Sequence, residues 1–141
     1  MKKYLAMMIL ATAMLAAVSS MGQTHTSHRI VIQLNSGDST AWKGAIHNIQ
    51  NLKKEWGKDV EIELVAHGPG VGLLLKDKTT EHNAITALSK EAVRFVICEN
   101  SMRDRKIAKT DVVTEAGYVP SGVAEVVMKQ EAGWSYLKAG F

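Results

Sequence analysis

The sequence predicts a three-layer α/β/α domain built on a five-stranded, mostly parallel sheet. Three observations lead there. Apolar, β-branched runs alternate with stretches of helical periodicity along most of the chain. The run Val93-Arg94-Phe95-Val96-Ile97 is almost wholly apolar, as a strand covered on both faces must be. The segments between strands are long enough for helical crossovers, and no repeat, linker or low-complexity tract interrupts them.

The elements follow in order. Arg29-Ile30-Val31-Ile32-Gln33-Leu34 reads as the first strand, closed by the turn Asn35-Ser36-Gly37-Asp38. Asp38 or Ser39 is placed to cap the helix that follows. Trp42, Ala45, Ile46, Ile49, Leu52 and Trp56 recur at steps of three and four, so Ala41 to Trp56 is an amphipathic helix, with Gly57 to end it. From Asp59 to Ala66, Val60, Ile62, Leu64 and Ala66 alternate with Glu61, Glu63 and Val65. That is a second strand, polar on one side at its start. His67-Gly68-Pro69-Gly70-Val71-Gly72 demands an irregular loop, followed by a helical turn over Leu73 to Lys76. A helix starts at Thr79-Thr80-Glu81 and carries Ala84, Ile85, Ala87, Leu88 and Ala92 to the third strand. The charged Arg103-Asp104-Arg105-Lys106 belongs to a solvated helix or turn, and Val112-Val113 suits either helix or strand. Gly117 to Pro120 is a fourth strand ending in a turn. Ser121 caps a helix with Val123, Val126 and Val127 on one face, and Trp134 to Leu137 is the fifth strand.

The start of the chain has a different character. Met1-Lys2-Lys3 is basic, Tyr4 to Val18 is an uncharged apolar run, and small and polar residues follow. This is the layout of a secretory signal peptide spanning residues 1–22, with cleavage near Ser20 to Gly22. The run is short for a membrane span, and no membrane attachment is expected after cleavage. Residues 23–141 then form a single domain, exported and periplasmic in expectation. Without Lys2 and Lys3, 15 basic residues face 14 acidic ones, so the net charge falls from +3 to about +1. No nucleic-acid partner is called for.

Cys98 is the only cysteine, so no internal disulfide forms. It is either a buried packing residue, a link between chains, or a reactive thiol. His25 and His28 offer no metal-binding geometry, and no metal or cofactor is expected. The glycine loop lacks both the Lys-Ser/Thr of a phosphate loop and the spacing of a dinucleotide loop. Its plainer reading is close backbone approach to a neighbour.

Loops that follow parallel strands gather at one edge of the sheet. There the sequence delivers Asn35, Ser36 and Asp38, then His67 with its glycines, then Cys98, Glu99 and Asn100. If the second and third strands are neighbours, His67 and Cys98 approach each other. A nearby histidine and helix N–H groups both favour the thiolate, the nucleophilic form. Cys98 and His67 are the candidate catalytic residues. Asn35, Gly68, Gly70 and Asn100 are the candidate ligand-binding residues.

Four segments in this order resemble the DsrE/DsrF-like proteins, the family of the Tus-type sulfur-relay subunits and the YchN-like proteins. They are Ala45-Ile46-His47-Asn48-Ile49, Val65 to Val71, Phe95 to Met102, and Val119 to Val126 continuing through Gln130 to Tyr136. The resemblance implies the α/β/α fold with a five-stranded parallel sheet, and assembly into homo-oligomers, as trimers or hexamers. It also implies that Cys98 stands where relay members accept a persulfide, so that a sulfur donor or acceptor protein would be its partner. The export signal and the lack of a second cysteine depart from the relay pattern. The alternatives are a non-enzymatic oligomeric module that binds a small ligand, with Trp134 and Tyr136 as interface candidates, and a thiol redox sensor.

Overall fold

The computed structural model describes residues 27–140. The expected signal peptide, its cleavage point and His25 lie outside them. Among the described residues no helix is long and apolar enough to cross a membrane.

Five strands form one sheet: β1 (His28–Leu34), β2 (Val60–Ala66), β3 (Arg94–Cys98), β4 (Ala116–Val119) and β5 (Ser135–Ala139). All pairings are parallel, and the spatial order is β4-β3-β2-β1-β5. Four helices connect them: α1 (Ser39–Trp56), α2 (His82–Lys90), α3 (Glu99–Asp104) and α4 (Gly122–Glu131). The chain steps outward from β1 to β4 and then returns across the sheet to β5. Right-handed crossovers place α1, α2 and α3 on one face and α4 on the other.

The two faces are covered unequally. Among the described residues, 24 buried side chains form the first core, while the second has six: Val31, Val65, Val96, Val119, Val126 and Trp134. In the first core Ile32, Leu64 and Phe95 of neighbouring strands meet Trp42, Ile46 and Ile49 of α1 and Ile85 of α2. Asp38 caps α1 by accepting the Thr40 N–H at 2.8 Å. Gly57, at φ +55°, ends it, a backbone conformation that glycine adopts without penalty.

Some boundaries and faces differ from the sequence reading. The helix expected from Thr79 starts at His82, because Thr79 takes part in a turn: its hydroxyl accepts the Glu81 N–H and its own N–H returns to Leu75. Val112 and Val113 are neither helix nor regular strand; both are buried, and Val112 makes an isolated antiparallel bridge to Leu75. The valines of α4 do not share a buried face. Val126 is buried, but Val123 and Val127 are exposed, because α4 meets the sheet only along the line Gly122, Val126 and Lys129. Trp134 is buried in the second core, whereas Tyr136 is exposed.

Glu63 is the largest departure. Alternation put it on the polar side of β2, yet it is fully buried. That side of the sheet is the one α4 covers. One carboxylate oxygen meets Lys129 Nζ of α4 at 2.9 Å and Arg94 Nη2 of β3 at 3.1 Å. The other, Oε1, is buried with no hydrogen-bond partner among the described residues. Burial, joined by the neighbouring Glu125 carboxyl, pushes the Glu63 carboxyl above the usual range against the downward pull of Lys129 and Arg94.

Candidate thiol site

β3 delivers Cys98 to the carboxyl edge of the sheet as its last residue, and Cys98 is also the N-cap of α3. A capping side chain normally offers oxygen to the free N–H groups of the first turn. Here the acceptor is sulfur: Sγ takes the Ser101 N–H at 3.5 Å. The Ser101 hydroxyl and the N–H groups of Gly122 and Asn100 lie near enough to favour the thiolate, although the Asn100 N–H donates to the Pro120 carbonyl at 3.3 Å. The start of α3 is bound to the sulfur through Ser101, and the start of α4 lies against Cys98 at Gly122, where an added β-carbon would be 3.2 Å from that of Cys98.

These donors decide the acidity of the thiol. Burial is the largest single influence and raises it, since Cys98 is only 4 % exposed. The Ser101 hydroxyl and the three N–H groups together outweigh burial, so the thiol stands below its ordinary value. Glu99 does not oppose them, because its carboxylate pairs with Lys109 at 3.2 Å.

Gly122 is fixed by closeness. A β-carbon there would lie 2.9 Å from that of His67, 3.2 Å from that of Cys98 and 3.3 Å from Val65 Cγ1. The start of α4 thus sits directly over the ends of β2 and β3, and His67 and Cys98 flank it.

His67 follows β2 and is half-buried. Gln33 Nε2 donates to its Nε2 at 2.8 Å, so in this arrangement the ring proton is on Nδ1. Tyr136 in turn donates its hydroxyl to Gln33 Oε1. This chain crosses three neighbouring strands, β5, β1 and β2, on the face that carries α4. Burial holds the His67 imidazole below its ordinary value, and an amide donor on Nε2 acts in the same direction. His67 is accordingly a neutral neighbour of the thiol. The acidifying groups are the hydroxyl and N–H donors around the sulfur, not an imidazolium.

The other expected residues have different places. Gly68, at φ +51°, donates its N–H to the Ser101 hydroxyl oxygen at 2.8 Å, which leaves the hydroxyl proton for Sγ. Gly70 packs against β1: a β-carbon there would be 2.3 Å from the Leu34 carbonyl oxygen. The glycine loop is a 3-10 segment, Gly68–Leu74, wedged into the core, as close backbone approach requires. The Asn100 N–H donates to the Pro120 carbonyl at 3.3 Å, and its side chain accepts from Arg103. Asn35 is exposed, and its side chain makes no hydrogen bond among the described residues. Among the described residues no cluster of His, Cys, Asp or Glu is built to hold a metal, and His28 stacks on Trp56 at 3.9 Å.

Ser101, Gly122, Gln33 and Tyr136 are the contributors that sequence reading did not assign to the site. Ser101 was traceable in principle, lying three residues beyond an N-cap, where cap partners stand. Replacing it should show its share. Ser101→Ala is expected to raise the Cys98 pKa, leave the Gly68 N–H without an acceptor and cost about 1 kcal/mol. The pH profile of alkylation, with urea unfolding alongside, measures both effects.

A family model described as DsrE/DsrF-like matches residues 9–139. Three solved structures are similar. The protein of unknown function MTH1491 from Methanobacterium thermoautotrophicum has 30 % identity and a TM-score of 0.75, covering 79 % of this chain and 98 % of its own. The conserved protein of unknown function BT1422 from Bacteroides thetaiotaomicron has 15 % identity and a TM-score of 0.61, covering 83 % and 99 %. The ychN protein from E. coli has 15 % identity and a TM-score of 0.61, covering 79 % and 98 %. No curated protein matches the chain.

Proposed function

The chain belongs to the DsrE/DsrF-like family, and from that premise we propose that it is a sulfur carrier using Cys98 as the acceptor. The observation that carries this reading is the sulfur cap of α3: Sγ accepts the Ser101 N–H at 3.5 Å directly beneath the start of α4 at Gly122, and these polar surroundings lower the thiol despite its burial. The same donors suit the terminal anion of a persulfide, because they are fixed before any sulfur arrives.

The step is a thiol exchange. The Cys98 thiolate attacks the outer sulfur of a donor persulfide, R–S–SH. The Cys98 S–S bond forms, the donor S–S bond breaks, and R–S⁻ leaves with the bonding pair. Cys98 is left as Cys–S–SH, and delivery to an acceptor thiolate is the same exchange in reverse. No external oxidant or reductant enters. His67, neutral and half-buried, offers a hydrogen bond to the passing sulfur and is not the base that ionises Cys98.

On the same footing we place the mature protein in the periplasm, on the strength of the basic, apolar and small-residue pattern of residues 1–22. It assembles there as a homo-oligomer, a trimer or hexamer, and the exposed Val123, Val127 and Met128 of α4 support such a contact. The competing reading is a ligand-binding module in which Cys98 is an inert cap, and its 4 % exposure favours that.

One experiment separates the two. Folded protein treated with polysulfide is expected to gain the mass of one sulfur on the peptide carrying Cys98, and Cys98→Ser to gain none. A thiol that resists both sulfur uptake and alkylation at neutral pH would falsify the carrier reading.

A further inference from the structure

A cavity of about 480 Å³ lies away from the thiol, at the same carboxyl edge but on the face of α1 and α3. Carboxyl edges of parallel sheets are where ligands of such folds bind. Its walls mix apolar and polar surface: Pro69, Ile107 and an edge of the buried Trp42 are the largest apolar parts, and no acidic residue lines it. Two cations do, Lys78 and Arg105. Neither makes an ion pair among the described residues.

The arrangement is held by backbone rather than by chance side-chain positions. Trp42 is pinned by its indole N–H, which donates to the Ser36 carbonyl at 2.8 Å, and its ring lies so near Gly72 that a β-carbon there would be 2.5 Å away. Arg105 closes α3, with its N–H on the Ser101 carbonyl, and Lys106 turns back at φ +56°, so that the Ile107 N–H reaches the Met102 carbonyl at 2.9 Å. This two-bond helix ending fixes where Arg105 and Ile107 enter the wall.

The charges around it are cationic in balance. An adjoining cavity of about 390 Å³ shares Lys78 and Ile107 and adds Lys76, Lys106, Asp77 and Asp111. Lys76 and Lys106 reinforce the pair while Asp77 and Asp111 oppose it, so four cations face two carboxylates around the two cavities. A bare inorganic anion would leave the apolar wall unused, and a neutral apolar molecule would leave the cations unused.

We propose that this cavity binds a small organic anion, an aromatic carboxylate or sulfonate. Its ring packs against Trp42, Pro69 and Ile107, and its charge is shared between Arg105 and Lys78. Arg105 suits a two-oxygen grip, and Lys78 acts as a point charge. The site is independent of the Cys98 chemistry.

The probes are naphthalene-2-sulfonate and benzoate, with benzylamine, benzyl alcohol and inorganic phosphate as controls, titrated into the full chain and followed by calorimetry and by NMR. The two anions are expected to saturate a site, shifting the Trp42 indole N–H and the Gly72 and Ile107 amides, while the controls do not. Lys78→Ala and Arg105→Ala should each weaken binding about tenfold, and Arg105→Glu should abolish it. Both side chains are exposed, so unchanged thermal midpoints will certify the variants as folded. Phosphate binding as well as naphthalene-2-sulfonate, equal affinity in the Arg105→Glu variant, shifts confined to other residues, or no saturation by ~10 mM would each overturn the assignment.

Discussion

Lys129→Ala is expected to destabilise the domain by about 3 kcal/mol at neutral pH. Lys129 is the one cation held against Glu63 with most of its own surface covered, at 2.9 Å, and it also lies over the Trp134 ring at 4.2 Å. Removing it strands a carboxylate that already has one oxygen without a partner. The loss falls at the low end of the range for a broken buried pair, because Arg94 still reaches the same oxygen from a half-exposed position. The pH dependence has an unusual sign. In the native state burial raises the Glu63 pKa above its unfolded value, so the folded protein binds the extra proton. That contribution to stability is complete below the unfolded pKa and fades as pH rises through the folded one. Most carboxylates behave in the opposite way. Without Lys129 the folded pKa rises further, so the variant's deficit should grow between pH 5 and pH 8. Urea unfolding at both pH values measures this. An equal deficit at both would mean that Glu63 does not titrate in that window.

The second large effect is expected from Gly122→Ala. The added β-carbon would meet His67 at 2.9 Å, Cys98 at 3.2 Å and Val65 at 3.3 Å, all of them held by strand ends. The first turn of α4 must lift, at a cost of about 1–3 kcal/mol. Lifting removes one N–H donor from Sγ and loosens its cover. The thiol pKa should rise while alkylation above that pKa becomes faster, a pair of changes that plain destabilisation would not produce. A pH–rate profile of alkylation in the folded variant reads both. An unmoved profile would mean that Gly122 is not a functional part of the thiol's setting.

How far the sequence reveals this molecule depends on distance along the chain. The apolar run at β3, the three-and-four spacing of α1 and the Ser121 cap are local patterns, and each marks its element correctly. The parallel order follows from alternation alone. What needs strand order and register is not legible. Gln33 and His67 stand 34 residues apart and meet only because β1 and β2 pair with Leu34 beside Ala66. Gly122 reaches Cys98 only because the return to β5 carries α4 across the second face. Glu63 looks like a surface residue because its neighbours Ile62 and Leu64 face the large core. Nothing in β2 itself announces that a single helix lies on the other side. The placing of Cys98 and His67 at one edge could be reasoned from the topology, but their chemistry could not. That depends on which hydrogen bonds each makes, and the sulfur's donors come from the turn after it and from a helix starting 24 residues later.

The unequal cover of the two sheet faces bears on how the buried sulfur is reached. Opening the face of α1 and α2 would disrupt most of the buried side chains, close to global unfolding. Opening the other face requires only α4 to detach, with Val126, the Glu63–Lys129 pair and the contact at Gly122 to break. Detachment of α4 is therefore a separate, cheaper excursion than unfolding, the kind of sub-global fluctuation that sets exchange and modification rates in native proteins. The thiol thus lies under the face with the smaller core, and α4 detachment is the route by which its exposure would be gained most cheaply. A partner that grips the outer side of α4 would act on that detachment directly.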